Sequence, residues 1–103
     1  MLFRSDEIEV SVPEPVRYEG AIVAAGALTE LNRIDEAIAR IESLELNPPS
    51  AEPHHLRAWY VLGDLLERRG RFTLALNFFE AVSAADAEST DAPERARRLK
   101  QQL

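Results

Sequence analysis

Two adjacent histidines, His54 and His55, are the residues of this chain best suited to chemistry. They lie in the stretch PHHLRAWYVLGDLLERRGRF, close to the single tryptophan, Trp59. Imidazoles serve as general bases and as zinc ligands. Neighbouring side chains on a helix point about 100° apart, however, and the residues four positions on, Ala58 and Trp59, offer no ligand atom. We therefore predict no catalytic base and no metal site, and interpret both histidines as first-turn surface residues or as contacts to the preceding loop.

The rest of the chain supplies few other groups for catalysis or cofactor binding. It has no Cys, which excludes thiolate catalysis and thiolate metal sites. No glycine-rich pattern of the GxGxxG or GxxxxGK type is present to bind a phosphate group. We predict a protein that is not an enzyme and has no cofactor.

Composition and charge indicate one small acidic domain. A chain of 103 residues supports a single core. The net charge of −6 repels nucleic acid and anionic membranes. No apolar run approaches the ~20 residues that span a bilayer, and we expect a cytoplasmic protein. The basic residues at positions 95–100 lack interleaved aromatic residues, so we interpret them as a solvated helix face.

The N-terminal residues show no helical pattern. The segment EIEVSVP alternates like a strand but has no partner strand, so residues 1–14 are expected to form an extended or disordered arm. Residues 1–5, MLFRS, correspond to the end of a common sequencing adapter translated from a GTG start codon. We hypothesise that these five residues are a sequencing artefact.

An internal repeat organises the remainder. The segments ALTELNRIDEAIARIESL and LLERRGRFTLALNFFEAV align at an offset of 38 residues. Asn32 and Gly70 fall on equivalent positions, and both residue types tolerate the left-handed conformation that ends a helix. Apolar residues recur after each of them at spacings of three and four, which predicts a second helix. The expected helices are residues 15–31, 34–46, 54–69, 72–86 and 92–102.

The last predicted helix has its own start signal and a narrow apolar stripe. Asp91 is the expected N-cap, and Glu94 stands where it completes a capping box. The stripe expected to face the core consists of Ala92, Ala96, Leu99 and Leu103. The residues expected to stay outside are Arg95, Arg97, Arg98 and Lys100.

The second helical pair resembles a tetratricopeptide repeat, a 34-residue helix-turn-helix unit that stacks into α-solenoids. The matching residues are Trp59, Leu62, Gly63, Gly70, Phe72, Ala75 and Phe79, with Ala37 fitting in the first pair. The resemblance implies an all-α domain over residues 15–103, with repeats at about 16–49 and 54–88 and a capping helix at about 92–102. It implies that Trp59 packs between the helices of its repeat and that Gly63 lets the next helix approach closely. The whole is similar to the C-terminal end of a longer bacterial tetratricopeptide protein.

In this family the first helices of the repeats line a concave groove that binds proteins or peptides. The resemblance places the following residues in that groove: Arg57, Tyr60, Asp64, Glu67, Arg68, Glu19, Ile22, Gly26, Thr29 and Glu30. The acidic members favour a basic partner segment, with Tyr60 as an apolar anchor. The resemblance therefore implies a non-catalytic protein-interaction scaffold.

Two other interpretations of these residues stay open. Asp64, Glu67 and Arg68 stand at i, i+3 and i+4, a spacing that also describes a solvated face with weak salt bridges. Alternatively, the chain is the structural C-terminal end of a longer solenoid whose binding surface lies in upstream repeats.

Overall fold

The computed structural model describes residues 12–103 and folds them into helices alone, so the predicted all-α class is confirmed over this range. The helices are α1 Glu14–Glu30, α2 Ile34–Glu42, α3 Pro53–Arg68, α4 Phe72–Ala85 and α5 Ala92–Gln102. The N-terminal arm expected at residues 1–14 lies almost entirely outside the described residues. Helix α1 begins at Glu14 and has a proline in its first turn.

Each helix packs against the one that follows it, and α1 also contacts α3. The buried core runs through all five helices, with α3 at its centre. Its largest fully buried side chains are Tyr18, Phe79, Ile41, Leu62, Leu65, Leu66, Leu99 and Val82. The helical pairs α1–α2 and α3–α4 are therefore joined by one continuous apolar layer.

The two helix-to-helix turns have the same backbone hydrogen bonds, 38 residues apart. The N–H of Arg33 donates to the carbonyl of Leu28 at 2.8 Å, and the N–H of Arg71 donates to the carbonyl of Leu66 at 2.9 Å. The residue before each donor is left-handed, as predicted: φ is 60° at Asn32 and 76° in the second turn. This pairing is the Schellman type of helix ending.

The left-handed glycine of the second turn gives a first prediction. An added Cβ at Gly70 meets no atom within 4 Å, so Gly70→Ala costs only the strain of a positive φ. We expect Gly70→Ala to lower the free energy of unfolding by about 1 kcal/mol, measured by urea denaturation. Gly20 is the control, because it also has open space around it but lies inside α1. Gly20→Ala should raise stability by about 0.5–1 kcal/mol, and equal values for both substitutions would contradict the turn geometry.

Helix α2 ends at Glu42, four residues before the predicted end at 46. After Glu42, side chains from α1 and α3 bind the backbone and hold it in a non-helical conformation. The hydroxyl of Tyr18 donates to the carbonyl of Glu45, and Nε1 of Trp59 donates to the carbonyl of Leu46 at 3.1 Å. These two carbonyls are satisfied by long-range partners, which a periodicity argument does not detect.

The start of α5 also differs from the prediction. Asp91 is the N-cap residue, but its side chain makes no cap hydrogen bond and no capping box forms with Glu94. The N–H of Ala92 donates to Oγ1 of Thr90 at 3.1 Å instead. Within the predicted stripe, Leu103 is 61% exposed while the other three residues are buried.

Candidate functional site

The two histidines are buried, at 7% exposure for His54 and 2% for His55, so their predicted place on the surface is wrong. Their rings lie 4.1 Å apart between centroids, and Tyr18 contacts both edge-on at 4.9 and 5.1 Å. Nε2 of His54 and Nε2 of His55 lie 2.7 and 2.9 Å from the same oxygen, Oε1 of Glu14. The two side chains were also expected to point apart, and this expectation is wrong. Beyond their Cβ atoms, both rings turn toward the carboxylate of Glu14.

The alternative interpretation, a contact with the preceding loop, is confirmed for His55. The backbone N–H of Glu52 donates to Nδ1 of His55 at 2.9 Å, as half of a capping box that begins α3. Nδ1 is therefore the acceptor of the ring, and Nε2 carries the proton of the neutral form. Nε2 is buried and makes no hydrogen bond, although it lies close to Glu14. The hydrogen bond from His54 holds the pKa of Glu14 below its ordinary value.

Arg95 points into the molecule, contrary to the prediction that it stays outside. Its Nη2 donates to Oδ1 of Asp64 at 2.9 Å and to Oε1 of Glu67 at 2.8 Å. Its guanidinium carbon lies 4.5 Å from the ring centroid of Phe79, and its side chain is only 14% exposed. Burial opposes the charge, but hydrogen bonds to Tyr60, Asp64 and Glu67 outweigh burial and raise the pKa of Arg95. Arg95 thus ties α5 to α3.

The acidic residues predicted for the groove are mostly neutralised by neighbouring cations. Besides the pairs with Arg95, Asp64 accepts from Nε of Arg68 at 3.0 Å. Glu19 on α1 pairs with Arg57 on α3. These ion pairs agree with the alternative interpretation of a helix face that carries salt bridges, and they offset the negative charge of these carboxylates.

Other predicted groove residues lie apart from this cluster. Thr29 turns back to its own helix, where Oγ1 donates to the carbonyl of Ala25 at 2.7 Å. Gly26 and Glu30 are exposed on the same half of α1. None of these three residues lines the cleft that contains Ile22, Arg57 and Tyr60.

An open cleft of about 400 Å³ brings together three of the predicted groove residues, Ile22, Arg57 and Tyr60. Its other lining residues are Pro53, Leu56, Val61, Val82, Asp86, Ser89 and Thr90. The lining is mainly apolar and comes from α1, α3, α4 and the α4–α5 loop. Such a concave apolar surface with a few polar groups is the usual form of a binding site.

Tyr60 is positioned in the cleft by contacts with α4 and with the residue that precedes α5. Its hydroxyl donates to Oδ1 of Asp91 at 2.5 Å, and its ring packs edge-on against Phe79 at 5.4 Å. Burial and the hydrogen bond to Asp91 raise the pKa of Tyr60. The aromatic ring is consequently held rigid, so that an approaching side chain meets a preformed surface.

The sequence prediction of the groove missed Asp86, which lines the cleft, and Asp91, which accepts the hydrogen bond from Tyr60. Within residues 12–103, neither carboxylate has a Lys or Arg partner within ion-pair distance. Hydrogen bonds from Ser89 and Glu88 hold the pKa of Asp86 below its ordinary value, the Ser89 hydroxyl contributing most. The spacing of Asp86 and Ser89 in the segment ADAESTDAPE was a usable signal, because Asp favours such turns.

The residues of the repeat signature lie mainly in the core. Leu62, Ala75, Phe79 and Ala37 are buried, and Phe72 is half-buried against the core. Gly63 faces the ring of Phe79 so closely that an added Cβ would lie 3.1 Å from two ring atoms, as close approach requires. Trp59 is half-buried rather than enclosed, with its indole N–H bound to the α2–α3 loop.

The basic residues of α5 do not form one exposed patch. Arg95 is half-buried against α3, and Nζ of Lys100 lies 2.9 Å from Oε2 of Glu80 on α4. Nη2 of Arg97 lies 3.8 Å from Oε1 of Glu94 on its own helix. The solvated helix face predicted for residues 95–100 therefore includes only some of the basic residues.

Comparisons with protein-family models, with curated proteins and with solved structures gave no match to this chain. Among residues 12–103, no helix combines the length and apolar character that crossing a membrane requires.

Proposed function

We propose that this chain is a protein-interaction module of the tetratricopeptide type, which binds a short segment of a partner protein in the cleft around Tyr60. The observation that carries this proposal is the cleft itself, because it joins apolar side chains from several helices on one preformed concave surface. Support for the repeat arrangement comes from the two identical helix-ending turns at an offset of 38 residues.

The lining of the cleft suggests what the segment contains. Ile22, Leu56 and Val61 offer aliphatic contact area beside the Tyr60 ring, which suits an aliphatic or aromatic anchor side chain. Asp86 lines the same cleft without a cationic partner among the described residues. We therefore propose an apolar anchor followed by a basic residue. Asp86 and the nearby Asp91, rather than Asp64 and Glu67, supply the negative charge that attracts this basic residue.

Peptide selection on the folded chain tests this function. A displayed peptide library is panned on the wild type, and the dissociation constants of enriched peptides are measured by fluorescence anisotropy. Leu56→Lys places a charge in the cleft and is expected to weaken binding about tenfold or more, as the loss of one buried apolar anchor contact does. Asp86→Asn is expected to weaken binding of basic peptides at low salt and to have little effect at high salt.

The matched control is Leu74→Lys, the same substitution at a 48% exposed leucine of α4 that lies outside the cleft. It should leave the dissociation constant within about twofold. Circular dichroism and urea denaturation establish that each variant is folded. Equal affinity of wild type and Leu56→Lys for every enriched peptide, or a selection that enriches none, would refute the proposal.

A second candidate is favoured by the outer face of α1. Val16, Val23 and Leu31 are 58%, 71% and 65% exposed, whereas Tyr18 and Ala21 on the same helix are buried. A helix with apolar residues on two faces is typical of a helix that packs on both sides. We accordingly keep the structural end of a longer solenoid as the alternative. Genomic DNA that carries this reading frame without further helical pairs upstream would contradict it.

A further inference from the structure

We propose that Glu14, His54 and His55 bind a divalent transition-metal ion, with Zn²⁺ as the cation best matched to these ligands. Two imidazoles and one carboxylate are a donor set that zinc takes in proteins. None of the three residues lines the cleft around Tyr60, so this site is independent of the proposed function. The ion would connect the first turn of α1 to the first turn of α3.

The three ligand groups already converge on one point. Nε2 of His54 and Nε2 of His55 lie 2.7 and 2.9 Å from Oε1 of Glu14, and the ligand atoms of all three residues fall within 4.8 Å of one another. Zinc bonds of about 2.0–2.2 Å hold ligand atoms slightly more than about 3 Å apart. A small outward movement of the carboxylate therefore admits the ion. The side chain of Glu14 is 44% exposed, which permits this movement and leaves a coordination position open to water.

An unsatisfied nitrogen is the second observation that points to a ligand. Nε2 of His55 is buried, yet it makes no hydrogen bond, and its side chain is only 3% exposed. Buried polar atoms are nearly always paired in folded proteins. A cation between His55 and Glu14 supplies a partner for this nitrogen.

Metal binding has a specific structural consequence at the start of α3. Nδ1 of His55 accepts the backbone N–H of Glu52. Ligation through Nε2 places the remaining ring proton on Nδ1, where it opposes that N–H. Binding thus exchanges one cap hydrogen bond for a coordination bond. The amide of Glu52 should therefore lose protection from hydrogen exchange when the ion binds.

Zinc titration of the full chain is the test. Addition of 0.1 mM ZnCl₂, a concentration chosen as roughly 100 times an expected micromolar dissociation constant, is expected to raise the Tm by about 5 °C or more relative to EDTA. MgCl₂ should have no such effect, because Mg²⁺ prefers oxygen ligands. Co²⁺ should give visible absorption bands of a low-coordinate nitrogen and oxygen site. His54 and His55 are the only histidines of the chain, so shifts of their ring resonances report this site alone.

Matched variants separate this site from adventitious binding to surface carboxylates. His55→Gln removes the imidazole but keeps an acceptor for the cap, since Gln at this position forms a capping box. His55→Gln, His54→Gln and Glu14→Gln are each expected to weaken zinc binding about tenfold or more. Glu19→Gln, an equally exposed acid of α1, should leave zinc binding unchanged.

Two outcomes would overturn the proposal. One is a zinc-induced Tm shift of the same size in the wild type and in all three ligand variants. The other is unchanged histidine ring resonances in wild-type protein saturated with zinc, a measurement that needs no variant and is unaffected by a loss of folding.

Discussion

Arg95→Met is expected to lower the free energy of unfolding by about 2–3 kcal/mol, although Arg95 lies on the last helix. The substitution keeps the apolar stem but removes the cation that Asp64 and Glu67 share. Removing one partner of a fully buried ion pair costs about 3–5 kcal/mol. The two carboxylates are 28% and 30% exposed, so partial solvation reduces that cost. Urea denaturation followed by circular dichroism measures the difference.

Two further sets of variants test whether the lost charge of Arg95 causes the destabilisation. In the Arg95→Met background, Asp64→Asn with Glu67→Gln removes the uncompensated carboxylates and should restore about half of the loss. Arg97→Met is the matched control, since Arg97 is 65% exposed and lies 3.8 Å from its acidic partner. It should change stability by less than about 0.5 kcal/mol. If Arg95→Met and Arg97→Met unfold at the same urea concentration, Arg95 does not tie α5 to α3 in solution.

Gly63→Leu is expected to be the most damaging single substitution, with a loss of about 3 kcal/mol or more. A Cβ at position 63 already lies 3.1 Å from ring atoms of Phe79, so the remaining side-chain carbons overlap the ring. Phe79 is fully buried and held between Tyr60 at 5.4 Å and the guanidinium of Arg95 at 4.5 Å. The ring therefore has no space into which it can move, and α3 and α4 must separate.

A second glycine tests whether close packing is the cause. Gly26→Leu in α1 adds the same side chain where a Cβ meets nothing within 4 Å, and it should leave stability unchanged or slightly raised. Phe79→Leu in the Gly63→Leu background should recover part of the loss, because the smaller side chain vacates the overlapping volume. Equal thermal midpoints for Gly63→Leu and Gly26→Leu would show that α3 and α4 do not pack as closely as described.

The helices could be predicted closely because the signals for them are local. The spacing of apolar residues identified every described helix to within a few residues, and the left-handed turns at Asn32 and Gly70 followed from residue type. Burial of Phe79 and Ala37 likewise followed from the periodic pattern. The clearest error was the predicted end of α2, because side chains of α1 and α3 bind the carbonyls of Glu45 and Leu46 beyond the end of this helix at Glu42.

The candidate sites were less predictable, because they depend on contacts between distant segments. Arg95 was assigned to a solvated face, yet it contacts residues 28 and 31 positions earlier on α3. The side chains of His54 and His55 were expected to point apart, yet both reach a carboxylate on α1, 40 residues before His54. Helix periodicity gives the direction of each Cβ but contains no information on which charged group of another helix lies opposite.

For this chain, the amino-acid pattern was sufficient to predict the all-α class, the paired helices and the glycine and asparagine turns, since each depends on interactions within about one helical turn. Three features became evident only from the packed helices: the ion pairs of Glu19, Asp64 and Glu67, the half-buried guanidinium of Arg95, and the converging histidines. Their energies come from desolvated charges and hydrogen bonds that exist only when α1, α3 and α5 are brought together.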